Sequence, residues 1–142
     1  MESSSKSQKN KKSGLAFLAV SSVLIIAAAY IAVNFKQQIA DQISYLSYKP
    51  SVAIASIAER AGLSDYGTYL YFASRPVLDG PQTFNDLCGR QEQTSSILGC
   101  YSDSVIYLYD VTDAKLDGIK EVTAAHELLH AVYARMGDDE KA

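Results

Sequence analysis

The longest apolar stretch of the chain lies close to its N-terminus. No charged residue occurs from Gly14 to Phe35, and most of these positions hold alanine, leucine, isoleucine or valine. A helix needs about 20 consecutive apolar residues to cross a bilayer. The pattern therefore predicts a transmembrane anchor over residues 14–35, preceded by a Lys/Ser-rich tail over residues 1–13.

Charge around this stretch predicts its orientation. One lysine, Lys36, follows the span closely, whereas four precede it: Lys6, Lys9, Lys11 and Lys12. Positive charge is retained on the cytoplasmic side, so the N-terminus is expected inside and the C-terminal domain outside the cytoplasm. The alternative is a cleaved signal peptide with an apolar region at residues 15–26 and a small-residue cleavage site at residues 27–29. Apolar residues continue to Val33, which favours a retained anchor.

After the span, the pattern becomes that of a folded α+β domain. Residues 36–49 have apolar positions at helical spacing and are interpreted as a juxtamembrane stalk that ends before Pro50. The exported domain is expected over residues 50–142. Its first helix is predicted between a cap at Ser51 and a left-handed residue at Gly62, and Thr68–Ala73 has the aromatic composition of a strand.

Two apolar runs in the second half of the domain predict an antiparallel hairpin. They cover residues 96–101 and 105–111 and are separated by a short polar turn. In the second run, odd and even positions are both apolar, so the strand is expected to be covered on at least one side. A helix is then predicted from about Ala114 to Arg135, followed by Gly137.

Charge excludes one broad class of function. The first 36 residues carry five lysines and one glutamate, so the formal charge of −3 leaves −7 on the rest of the chain. An acidic domain without a lysine or arginine cluster lacks the basic surface that phosphate backbones require. Nucleic-acid binding is therefore excluded as a main function.

The only two histidines form an HExxH motif with His126, Glu127 and His130. Residues four apart stack on one helix face, so both imidazoles can reach one Zn²⁺ while Glu127 approaches a water without binding the metal. The wheel of this helix predicts that the pair faces the interior or a cleft, together with Ile119, Val122, Thr123, Leu129 and Tyr133. A histidine pair without metal is the alternative.

This motif, on a helix that follows a strand, resembles the zincin metallopeptidases. The resemblance implies that His126 and His130 are zinc ligands and that Glu127 is the general base. It also implies that the preceding strand is a sheet edge that binds peptide by β-addition, with Val105, Tyr107 and Tyr109 as its substrate-edge residues. The expected fold is α+β, with a zincin-like domain after the transmembrane helix.

The third metal ligand is not identified. The metzincin pattern needs Gly and His where this chain has Tyr133 and Met136, so that branch is excluded. A gluzincin-like chain takes a glutamate from a later helix, but Asp138, Asp139 and Glu140 are interpreted as a helix cap after Gly137. The domain was therefore expected to be incomplete at its C-terminal end.

Three further side chains have candidate roles. Cys88 and Cys100 lie outside the membrane and are expected to form a disulfide in an oxidising compartment. Tyr133, one turn beyond the metal pair, is a candidate hydrogen-bond donor to a ligating imidazole.

The predicted function is hydrolysis of peptide bonds by a zinc-activated water, on a peptide or protein substrate at the membrane or envelope. The alternative is a membrane-tethered binding or assembly module with a structural or inactive zinc site.

Overall fold

The protein has a mixed α+β fold that is mostly helical and contains one small sheet. The structure is a computed structural model that describes residues 3–88 and 97–141. The chain divides into two compact units, Met1–Ile39 and Ala40–Ala142. Each unit is described separately below.

The first unit consists of helix α1, Ser3–Asn34, and the start of the next helix. Within α1, Ala16–Asn34 is long and apolar enough to cross a membrane, and it is the one such segment in the described part of the chain. None of this window is buried, which distinguishes it from a core helix; an N-terminal signal sequence shares these properties. The hydroxyls of Ser21 and Ser22 both donate to the Leu18 carbonyl, so neither is left unpaired on an apolar helix.

Helix α2, Lys36–Ser47, enters the second unit. That unit begins at Ala40, within the predicted stalk and before the predicted domain start at residue 50. Asp41 is buried there, and Tyr48 donates a hydrogen bond to the Pro76 carbonyl. The end of the predicted stalk is therefore part of the folded domain.

Helices α3, Val52–Arg60, and α4, Asp65–Ala73, follow. The first confirms the prediction: the Ser51 hydroxyl accepts from the Ile54 amide at 3.3 Å, and Gly62 has a left-handed φ of 64°. The strand predicted at Thr68–Ala73 is wrong. The Ser64 hydroxyl accepts from the Gly67 amide at 3.1 Å, and this cap starts a helix despite the aromatic composition.

The sheet contains β1, Val77–Asp79, β2, Gly99–Ser102, and β3, Val105–Tyr109, with helix α5, Pro81–Cys88, between β1 and β2. The predicted hairpin is confirmed, since β2 pairs antiparallel with β3. Its turn residues Asp103 and Ser104 both have positive φ, as a two-residue hairpin turn of type I′ requires. Residue 96, the predicted start of the first strand, lies outside the described residues.

Strand order corrects the expected role of β3. The order is β1-β3-β2, and β1 pairs parallel with β3. The strand that contains Val105, Tyr107 and Tyr109 is therefore central, with its backbone groups paired on both sides, and it is not the predicted substrate edge. The pairing with β1 was missed because β1 has only three residues and is separated from β3 by α5 and β2.

The last helix, α6, spans Ile119–Arg135 and carries the HExxH motif. It starts later than predicted, because Ala114–Leu116 form a short 3₁₀ turn. Gly118, with φ of 90°, separates the two elements. Asp113 accepts from the Lys115 amide at 2.9 Å and caps the 3₁₀ turn.

Alternate side chains of β3 lie on opposite faces of the sheet, and each set belongs to a different core cluster. Ile106 and Leu108 are buried in a cluster that also takes residues from α3, α4 and α6. Tyr107 and Tyr109 pack on the opposite side, against Phe84 and the cysteine pair. A disulfide joins Cys88 to Cys100, with 5.9 Å between the Cα atoms, and thereby links α5 to β2. Both faces of the central strand are thus covered.

Candidate metal centre

His126 and His130 bring their Nε2 atoms to 3.2 Å from each other, one helical turn apart on α6. Two nitrogens bound to one tetrahedral Zn²⁺ at about 2.0 to 2.1 Å would be about 3.3 Å apart. The spacing therefore fits two ligands of a single ion. It also allows a hydrogen bond between the two imidazoles, with the donor set by their tautomers.

The two imidazoles lie on the exposed side of α6. This corrects the first part of the prediction, that they face the interior, since Val122, Leu129 and Tyr133 are exposed with them. That the pair faces a cleft stays a prediction. The buried side carries Ala124, Leu128 and Ala131 and packs onto the sheet. Burial on this helix does not follow side-chain size, since Leu128 is buried whereas Leu129 is exposed.

Glu127 has a different environment from the two histidines. The residue is only 5% exposed and lies between the buried side of α6 and the side that carries the imidazoles. Burial raises the pKa of its carboxyl, and the nearby His130 and His126 partly oppose that increase. Glu127 is thus shielded from solvent, next to two exposed imidazoles.

Strand β2 lies close against α6 at Gly99. A Cβ atom on Gly99 would lie 2.5 Å from Cγ2 of Thr123 and 2.8 Å from Cγ of Glu127. Sequence reasoning assigned Gly99 no role. One feature of the sequence could have pointed to Gly99: it is a glycine at the start of a strand, next to Cys100. A glycine in a strand often marks a close approach of the backbone to another element.

No third ligand accompanies the histidine pair in the described ranges. Across residues 3–88 and 97–141, no group of three or more histidine, cysteine, aspartate or glutamate side chains could hold a metal ion. The three carboxylates after α6 lie in a turn, Asp138, Asp139 and Glu140. Glu140 accepts from the Gly137 amide at 2.9 Å, a capping role consistent with the predicted one.

Tyr133, Tyr107 and Tyr109 have surroundings that differ from their predicted roles. The Tyr133 ring is exposed, with Lys141 Nζ at 5.3 Å from its centroid. Within the described residues its hydroxyl makes no hydrogen bond to His126 or His130. Tyr107 and Tyr109 belong to the cluster on the α5 side of the sheet, so neither lines the candidate metal centre.

Comparison with known proteins gives no relative for this chain. No protein-family model matches it, and no match was found among curated proteins or solved structures.

Proposed function

We propose that this protein is a membrane-anchored zinc metallopeptidase of the zincin type, with its domain outside the cytoplasm. The observation that carries the proposal is the arrangement on α6. Two Nε2 atoms converge at 3.2 Å, and the adjacent Glu127 carboxyl is held at the boundary of the core.

In this proposal, His126 and His130 hold Zn²⁺ through Nε2. The ion would supply Lewis acidity, which activates water and polarises the scissile carbonyl. Glu127 takes the proton from the attacking water at a carboxylate oxygen and passes it to the leaving amine. The third ligand is not assigned.

The proposed substrate edge is β2, in place of the expected β3. Gly99 of β2 lies against Glu127, so this strand is close to the proposed general base. In the described sheet β2 has β3 on one side only, and its other side can pair with an extended peptide. A peptide bound there would run beside α6, near the imidazoles.

The anchor limits where this activity would be exerted. Residues 16–34 would hold the domain at the outer face of the membrane, with the lysine-rich tail in the cytoplasm. The proposed substrates are therefore peptides or proteins at the membrane or envelope surface.

A binding or assembly module is the second candidate, and one observation favours it. The histidine pair shares its exposed face with Val122, Leu129 and Tyr133. Exposed apolar side chains beside two metal donors would suit a partner protein that completes a closed, structural zinc site.

Zinc binding and peptide hydrolysis together test the proposal. Purified wild type should bind one Zn²⁺ per chain and cleave members of a broad peptide library, and His126→Ala should lose both properties. His130→Ala should behave in the same way. A wild type that binds zinc with four protein ligands and cleaves no peptide would support the binding module instead.

A further inference from the structure

Gly99 has almost no space around its Cα atom on the side of α6. Besides the two contacts given above, a Cβ there would lie 3.0 Å from Oε1 of Glu127. Distances below about 3.0 Å do not occur between such atoms without displacement of one of them. Any side chain at this position would therefore move Thr123, Glu127 or the strand itself.

Backbone conformation does not explain why the residue is glycine. The described glycines with positive φ are Gly62 and Gly118, so the backbone at Gly99 is one that other residues adopt. Glycine inside a strand is destabilising relative to alanine, because it loses more backbone freedom on folding. The missing side chain therefore has a packing role, which is to admit the side of α6 that carries Glu127.

Thr123 lies on one side of the space next to Gly99, and its side chain is held in place. Its hydroxyl donates to the Ile119 carbonyl at 2.8 Å, which holds Cγ2 in place. Glu127 lies one turn further along α6 and is 5% exposed, so its carboxyl cannot swing freely into solvent. The space over Gly99 is where the Cγ and Oε1 atoms of Glu127 are seated.

We propose that Gly99 is a positioning residue, whose bare Cα seats the Glu127 carboxylate beside the histidine pair. The catalytic part of this inference rests on the proposed peptidase function. Gly99→Ala would push Oε1 away from its seat without touching His126 or His130. Misplacement of a reacting group by about 1 Å can cost about 10²-fold in rate.

Thermal stability tests the seating independently of any activity. The test is a double-mutant cycle of Gly99→Ala and Glu127→Ala, made in a Thr123→Ser background. Thr123→Ser removes Cγ2, the closest atom, but keeps the hydroxyl that bonds to Ile119. There Gly99→Ala should lower the unfolding midpoint when Glu127 is present. Combined with Glu127→Ala, which removes both Cγ and Oε1, it should no longer lower the midpoint. An equal effect of Gly99→Ala in both backgrounds would overturn the inference.

Kinetics test the positioning role. Gly99→Ala/Thr123→Ser should lower kcat on a peptide from the library about 10- to 100-fold, a larger change than any in KM, with zinc affinity unchanged. Thr123→Ser alone should retain activity. Gly80→Ala is the matched control, because a Cβ on Gly80 would meet nothing within 4 Å, and it should leave kcat unchanged. Wild-type kcat in the folded, zinc-loaded double variant would overturn the positioning role. A wild type that cleaves no peptide would instead overturn the proposed function. The stability cycle would still show whether Gly99 makes room for the Glu127 side chain.

Discussion

The hydroxyl of Tyr71 lies in the core without a hydrogen-bond partner among the described residues. The side chain is 0% exposed, and burial raises the pKa of its phenol. A buried polar group without a partner costs about 1 to 3 kcal/mol, because it has lost its bonds to water.

Tyr71→Phe should therefore raise the free energy of unfolding by about 1 kcal/mol, since it removes the unpaired oxygen and keeps the ring. Urea denaturation measures the change. Tyr66→Phe, at an exposed tyrosine, is the matched control and should be nearly neutral. A clear loss of stability in Tyr71→Phe would show that the hydroxyl has a bonding partner.

The sequence was sufficient to single out His126, Glu127 and His130 as a group but not to orient them. Spacing alone puts both imidazoles on one side of a helix. Orientation depends on which of two apolar arcs faces the sheet, and α6 has one arc with Ala124, Leu128 and Ala131 and another with Val122, Leu129 and Tyr133. The first arc packs on the sheet. The local pattern does not distinguish them, because both arcs contain apolar side chains.

Helices α2 and α6 are joined by a buried ion pair. Arg135 donates from Nε and Nη2 to the two carboxylate oxygens of Asp41, at 2.9 and 2.8 Å, and both side chains are 9% exposed. Arg135 also donates to the Tyr101 hydroxyl at 3.1 Å, which extends the network to β2. This group ties the end of the HExxH helix to the segment that follows the apolar N-terminal helix in sequence.

Asp41→Asn should destabilise the domain by about 3 to 5 kcal/mol, because it leaves the Arg135 charge buried without its partner. Urea denaturation measures the free energy of unfolding of each variant relative to wild type. Asp117→Asn is the matched control, since Asp117 pairs with Arg60 at an exposed site where solvent screens the charges. Similar small effects of both substitutions would contradict the buried network.

Elements with local signals could be predicted, and those set by distant pairing could not. Helix α3 and the β2–β3 hairpin follow from a capping serine and a short polar turn. Helix α4 was mistaken for a strand because its aromatic residues favour strands, whereas the Ser64 cap and burial of Leu70 and Tyr71 against the core stabilise a helix. The central place of β3 depends on β1, whose three residues give no periodic signal.

At the scale of the whole molecule, the proposed location outside the cytoplasm has a direct consequence. A reporter enzyme that is active only after export, fused at the C-terminal end, should be active, because lysines hold the opposite end inside. The protein should sediment with membranes. A soluble product that begins near Tyr30 would show that the apolar helix is a cleaved signal, and an inactive reporter would show the reverse orientation.

In the proposed mechanism, Glu127 moves a proton and does not hold the metal. Glu127→Gln keeps the size of the side chain and both histidines, so zinc content and thermal midpoint should stay close to wild type. General acid-base catalysis contributes about 10² to 10⁴ in rate, so peptide hydrolysis should fall by that factor. The measurement is kcat/KM on one library peptide, with zinc quantified in the same samples. Full activity in zinc-loaded Glu127→Gln would contradict the account.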